Sequence, residues 1–370
     1  MPVPVSRASK SGAWSGLEHG TRSICASSGS SAAQTAAHSS APCTSPDGEE
    51  TATSASSSRT ARRAISAAPA CTHASMHQQA TSLPRVPELP EMEITARRLH
   101  EALPGLPIES VMTPGLNVLK TFDPPLHHAD GGTFTGVRRH GKLLLLDVDT
   151  AAGEPLTFLT HLMSAGRLQW FDKRGSMKDR TSRVLWRLPD NRELRLREFG
   201  TKQAAWIKLL RPEAVEAHQQ LRTLGPEAWP DPPELGPLLK SNRPLHSLLR
   251  DQQVIAGIGR TWVDEILHQA KLSPFKRGDD LSEEEAERLR SAMVSELSRV
   301  LDAYEAAVQI PLPEKFPKPT RVHAHQGEPC PRCETTLEAV FYEDYVMSYC
   351  PQCQTEGRVL KDRRLSRLLK

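Results

Sequence analysis

Residues 251–267, DQQVIAGIGRTWVDEIL, break a helical pattern with two glycines. Apolar residues at helical spacing lie on both sides, so residues 242–274 read as two helices interrupted by the GIG turn. Gly257 and Gly259 permit a tight turn and a close approach of backbone N–H groups to a ligand. A helix opening at Arg260 adds partial positive charge there. That arrangement binds phosphate. It also suits a helix–helix turn that uses glycine for geometry alone, and the motif by itself does not separate the two.

Further along, Ser282 with Glu285 forms a capping-box pattern. Leu289, Met293, Leu297 and Leu301 then mark the buried face of a longer helix. The proline-rich IPLPEKFPKP connects to two CxxC pairs, Cys330/Cys333 and Cys350/Cys353, separated by 16 residues. Each pair can hold one side of a tetrahedral ion, with a hairpin between them, and thiolates favour zinc. Four thiolates close the coordination shell, so this zinc is expected to hold structure and not to do chemistry. The tail KDRRLSRLLK is basic.

Before the glycine turn, residues 106–205 read as short strands split by turn residues, with Asp190-Asn191 as a hairpin turn. One helix precedes them. Pro90 suits its first position, Glu91 and Glu93 its first turn, and Met92, Ala96, Leu99 and Leu103 its buried face. Residues 1–84 are crowded with Ser, Ala and Thr, lack apolar periodicity, and cannot bury a core. They lack the apolar stretch of a secretory signal, although their acid-poor composition is shared with organelle transit peptides. No run approaches the length of a membrane span. The net charge of +3 across 370 residues neither demands nor excludes a nucleic-acid partner. Cys25, Cys43 and Cys71 are scattered, and the other cysteines are paired as in metal sites, which points to a reducing compartment, the cytoplasm.

Three separated features converge. PELPEME (87–93), the glycine-turn stretch and the cysteine module together resemble the formamidopyrimidine-DNA glycosylase and endonuclease VIII family. RRHGKLLLL (138–146), HLMSAGRL (161–168), REFG (197–200) and LGPEAW (224–229) match in the same order. The resemblance implies an α+β chain: an N-terminal β-sandwich with flanking helices, then a helix–two-turn–helix domain with a four-cysteine zinc finger. The boundaries it suggests are a disordered extension at 1–85, the catalytic sandwich at 86–205, a linker at 206–224, the helical domain at 225–310, the finger at 325–354 and the basic tail at 355–370. It also implies a monomer acting on damaged double-stranded DNA in a bacterial nucleoid, excising oxidised bases and cutting the strand at abasic sites.

Carried over residue by residue, Pro87 matches the nucleophile, an N-terminal amine that forms a Schiff base with the opened sugar. Glu88 matches the acid that protonates the sugar ring oxygen, a role favouring a carboxyl whose pKa is raised by burial. Lys142 matches the lysine that contacts phosphate beside the lesion. Arg197 and Phe199 match two members of the wedge that fills the gap left by the flipped base; a core role for Phe199 is the alternative. The third member is usually a methionine in HLGMSG. Here, after His161, Met163 stands one position early and Ser164 holds the expected place.

Other departures concern phosphate contacts. Arg260 replaces the asparagine that usually follows GIG, and His246 a frequent lysine. Tyr345 stands five residues before Cys350, where an arginine usually grips phosphate. Arg260 or the tail residues Arg363, Arg364, Arg367 and Lys370 are the candidates to compensate. The short connector lacks the loop that usually covers a flipped oxidised purine, which tilts the reading toward abasic sites or oxidised pyrimidines. A binding protein that has lost catalysis is the runner-up. A zinc-ribbon protein without lesion chemistry leaves Pro87, Glu88 and Lys142 unexplained.

Within a longer chain, the nitrogen of Pro87 belongs to a tertiary amide and cannot form a Schiff base. The start is therefore expected to be misplaced. If Val86 is encoded by GUG, translation begins there with methionine, whose removal exposes Pro87, and the first 84 residues are upstream DNA read as protein. Cleavage of a leader after Val86 has the same result.

Overall fold

The computed structural model describes residues 86–199, 203–342 and 345–361, all within the compact unit Ala70–Lys370. The expected extension and the tail arginines lie outside the described residues, as do Gly200 and Asp344. Helix α1 (Leu89–Ala102) opens the described chain, and its predicted face of Met92, Ala96, Leu99 and Leu103 is buried. Ile94 and Arg98 on its opposite side are buried too. There Arg98 donates to the Val308 carbonyl at 2.8 Å and pairs with Glu305 at 2.6 Å, so α1 is clamped to the second half of the protein.

Eight strands follow: β1 (Ser110–Met112), β2 (Thr133–His140), β3 (Leu143–Asp149), β4 (Pro155–His161), β5 (Gly166–Phe171), β6 (Ser182–Arg187), β7 (Glu193–Glu198) and β8 (Trp206–Leu210). They form two antiparallel four-stranded sheets, ordered β2-β3-β4-β8 and β1-β6-β7-β5. Strand β3 shows why its sequence is a continuous apolar run. Leu144, Leu146 and Val148 enter the main core, while Leu143 and Leu145 face a second cluster with Leu159, Leu210 and Val215. Phe158 and Trp186 meet edge to face at 5.5 Å in the main core. Asp190 and Asn191 both take positive φ, the conformation a tight hairpin between β6 and β7 requires.

The region expected to be a linker begins instead with β8, which pairs with β4. Its short alternating pattern, WIKLL, was masked by its position after the last motif of the sheet region. Short helices α2 (Pro212–Glu216), α3 (Gln219–Arg222), α4 (Leu235–Leu239) and α5 (Leu245–Leu248) lead to the glycine turn. The first helix expected in 242–274 is thus a single turn. After it the chain is drawn into a parallel bridge between Ala256 and Glu227 of LGPEAW, which a continuing helix would prevent. Helix α6 (Arg260–Gln269) follows the turn, and α7 (Glu283–Ala307) carries the predicted capping box and buries Leu289, Met293, Leu297 and Leu301. The finger is the hairpin β9 (Glu338–Phe341) and β10 (Val346–Tyr349), closed by α8 (Pro351–Thr355). No helix among the described residues is long and apolar enough to cross a membrane.

Candidate active site

The N-terminal segment packs directly on the glycine turn. The Leu89 N–H donates to the Gly257 carbonyl at 2.9 Å. A Cβ on Gly257, which has φ +104°, would stand 2.5 Å from Leu89 Cδ1, and one on Gly259 2.3 Å from Glu88 Cδ. Gln252 fixes the turn by accepting from the Gly257 N–H and donating to the Ile258 carbonyl, both at 2.9 Å. LGPEAW braces its other side: the Ala256 N–H donates to the Pro226 carbonyl at 2.8 Å.

This contact delivers Glu88 to the N-terminus of α6. The carboxylate is 1% exposed and accepts from the N–H groups of Thr261 at 2.9 Å and Trp262 at 3.3 Å. The helix N-terminus that the sequence offers to a phosphate is therefore filled by a carboxylate of the same chain. Gly257 and Gly259 act there by letting α1 approach. Glu91 supports the arrangement, accepting from the Glu88 N–H and the Tyr304 hydroxyl, both at 2.8 Å.

Two lysines flank the carboxylates. Lys318, from the proline-rich connector, lies 4.0 Å from Glu88 and 3.7 Å from Glu91, and donates to the Val86 carbonyl and the Thr261 hydroxyl at 3.1 Å. Lys142 stands in the β2–β3 turn. That turn is held by Glu227, which accepts from the Gly141 N–H at 2.6 Å and pairs with Arg139 at 2.6 Å. Burial alone raises the Glu88 pKa, but Lys318, Lys142 and the two backbone N–H groups outweigh it and hold the carboxyl below its ordinary value. The expected upward shift is thus reversed. Burial lowers Lys142 to about 8, with Glu88 opposing the shift and Arg250 and Lys318 adding to it.

The wedge candidates gather at one end of the sandwich. Met163 is 36% exposed with φ +51°, a backbone that favours glycine, in the tight turn that joins β4 to β5. His161 holds this turn, accepting from the Met163 N–H at 2.8 Å, and stacks on Trp206. Burial and the nearby Lys142 lower His161 to about 4, so its ring is neutral at pH 7. The Phe199 N–H reaches the Ala165 carbonyl at 3.4 Å, and its ring is half-buried, outside the core. Arg197 lies over that ring at 4.7 Å while bonded to Thr181 and Gln169. His246, expected at DNA, is turned inward. It is 4% exposed, 3.3 Å from Asp264, and stacked on Tyr345 at 5.7 Å. Arg260 lies over the same Tyr345 ring at 5.1 Å.

The ligand atoms of Cys330, Cys333, Cys350 and Cys353 lie within 4.8 Å of one another. Three of their S···S distances are 3.4, 3.5 and 3.9 Å. A tetrahedral ion with metal–sulfur bonds of about 2.3 Å requires edges of about 3.8 Å, so the cluster fits a metal ion. The Arg332 and Cys353 N–H groups and the His268 ring reach the sulfurs from outside.

The N-terminal domain of formamidopyrimidine-DNA glycosylase matches residues 86–201, and the H2TH domain of that enzyme residues 234–310. A formamidopyrimidine-DNA glycosylase of Geobacillus kaustophilus is 31% identical over 286 residues, covering 73% of this chain and 100% of the relative. The chain belongs to the formamidopyrimidine-DNA glycosylase family. An uncharacterized formamidopyrimidine-DNA glycosylase-like protein of Mycobacterium tuberculosis is 42% identical over 153 residues, 41% of this chain and 97% of that protein. A complex of Lactococcus lactis Fpg with DNA containing an abasic site shares the fold, with TM-score 0.64 at 22% identity over 72% of this chain and 99% of that one.

Of the residues the sequence singles out, Glu88, Lys142, Gly257 and Gly259 come together at the α6 N-terminus of this formamidopyrimidine-DNA glycosylase family member, with Pro87 buried beside them. Lys318, Arg250 and Gln252 were missed. Lys318 sits in a connector without periodicity, and its reach to Glu88 depends on chain path alone. Gln252 lies inside the opening motif, but its side chain bonds backbone that a continuous helix would have satisfied itself.

Proposed function

We propose that this chain is a bifunctional DNA glycosylase and abasic-site lyase whose amine nucleophile is Pro87. The observation that carries the reading is Glu88, next to Pro87 in sequence, fixed on the α6 N-terminus between Lys142 and Lys318. Once its nitrogen is free, Pro87 is a secondary amine with a pKa near ~8, substantially unprotonated at neutral pH. It attacks the sugar carbon that carries the base, and the glycosidic C–N bond breaks as the base leaves with that bond's electron pair and takes a proton from solvent. As the new bond to Pro87 forms, the ionised Glu88 takes the proton the nitrogen releases. It returns this proton to the ring oxygen as the C–O bond breaks, which leaves an iminium. Glu88 thus acts first as base and then as acid, in keeping with its depressed pKa. Lys142 neutralises a backbone phosphate beside the lesion, and Phe199 with Arg197 and Met163 occupy the gap in the stack.

The cysteine cluster holds one structural zinc ion, and its closed set of thiolates gives it no part in these steps. The connector favours abasic sites or oxidised pyrimidines. Leu312 and Phe316 are buried, and the Pro319 carbonyl is bonded to Arg299, so the connector is committed to packing instead of covering a base. The protein acts as a monomer in the bacterial nucleoid. A specific observation supports a second reading for the full chain: with Val86 bonded to Pro87, the protein binds damage and leaves the strand uncut. Incubating each form with duplex containing an abasic site separates the two readings. Strand cleavage by the chain that begins at Pro87 supports the enzyme, and binding without cleavage by both forms contradicts it.

A further inference from the structure

Arg250 stands apart from the arginines around it. Arg243 is paired with Asp251 at 2.9 Å, whereas the Arg250 guanidinium makes no hydrogen bond or ion pair among the described residues. It lies 4.3 Å over the ring of Tyr345. That ring is itself fixed. Tyr342 stacks on it at 4.3 Å with planes 8° apart, and the buried His246 stacks at 5.7 Å with planes 12° apart. The Tyr342 N–H closes the hairpin on the Tyr345 carbonyl at 2.9 Å. From the other side, Gln252 donates to the Arg250 carbonyl at 2.9 Å, and the same side chain orders the glycine turn.

We propose that Arg250 is a DNA-phosphate ligand of the active-site cleft and that Tyr345 positions it; the proposal rests on the function given above. A guanidinium held over an aromatic ring with no other partner has its N–H groups available to a bidentate acceptor. Arg250 is close enough to Lys142 for its charge to depress the lysine, and Lys318 adds a third cation. Neither Arg250 nor Lys142 has a hydrogen-bonded or ion-paired carboxylate among the described residues. Glu88 and Glu91 offset Lys318, whereas Arg250 has no such partner among the described residues, so a DNA phosphate is the anion its charge attracts. Arg260 shares the Tyr345 ring and is engaged elsewhere as well.

The test is the salt dependence of binding to a duplex that contains a non-cleavable abasic analogue, measured on the full chain. Each phosphate contact contributes about 0.9 to the slope of log K against log salt. Arg250→Ala is expected to reduce the slope by about that amount. Tyr345→Leu is expected to do the same, and Tyr345→Phe, which keeps the ring, to restore it. A merely structural role for Tyr345 would lower the binding-competent fraction equally at every salt concentration and leave the slope unchanged. An unchanged slope in Arg250→Ala, or a Tyr345→Phe variant indistinguishable from Tyr345→Leu, overturns the proposal. If the unsubstituted chain shows no preference for the analogue over undamaged duplex, the functional reading fails and this inference fails with it.

Discussion

Glu88 Oε1 accepts a hydrogen bond at 2.9 Å from the N–H of Thr261, which opens the first turn of α6. One carboxylate thus joins the two halves of the protein and places the proposed proton carrier beside the proposed nucleophile.

Glu88→Gln is expected to lower stability at neutral pH by about 1.5–3 kcal/mol, the range for hydrogen bonds to a charged group. The folded pKa lies below the ordinary carboxylate value, so the stabilisation is complete above about pH 4.3 and is lost as pH falls through the folded value. Thermal midpoints of the two proteins should therefore differ at pH 7 and converge as acidification passes through the folded value. A gap that widens in acid would reverse the sign.

Gly259→Ala places a methyl group 2.3 Å from Glu88 Cδ. Overpacking of this kind costs about 1–3 kcal/mol, and moving Glu88 off α6 should also reduce abasic-site cleavage by at least about tenfold. Gly236→Ala is the control. Its Cβ meets Ala286 at an ordinary 4.0 Å within a helix, so neither stability nor cleavage should fall.

Lys142 in the free protein titrates near 8. A bound phosphate favours the charged form, so affinity for an abasic duplex should decline as pH rises above about 8. Lys142→Arg, always charged, should flatten that decline. An identical pH profile for both proteins, read by fluorescence anisotropy, would count against the contact.

Removing the metal should unfold the finger. Besides the cysteines, its buried apolar residues are Val322, Leu337 and the hairpin cluster of Val340, Met347 and Tyr349, a core too small to persist without the ion. Chelation is expected to release about one zinc per chain and weaken DNA binding, while the β-rich circular dichroism of the sandwich remains. Retention of tight binding after metal loss would contradict a structural role.

The long amphipathic helices, the hairpin turn and the cysteine cluster were legible because each follows a local rule of period, capping or spacing. Strand β8 was not, since a five-residue strand carries little periodicity and only its pairing with β4 defines it. At the site, the glycines were legible as a close-approach motif, but what approaches them was not. Their partner Glu88 lies more than 160 residues earlier in the chain. The direction of the Glu88 shift was misread for the same reason. Burial shows in a motif, whereas Lys318 and the Thr261 and Trp262 N–H groups are supplied by the fold. His246 read as a DNA contact because it stands where a lysine is frequent, but the fold buries it against Asp264 and Tyr345.

Borohydride trapping on an abasic duplex tests the role of Pro87 most directly. The protein is prepared in two forms, one beginning at Pro87 and one retaining Val86 and the residues before it, each verified by intact mass. A covalent protein–DNA adduct is expected only from the form with the free proline amine. An equal yield from the form in which Val86 remains bonded to Pro87 would contradict it.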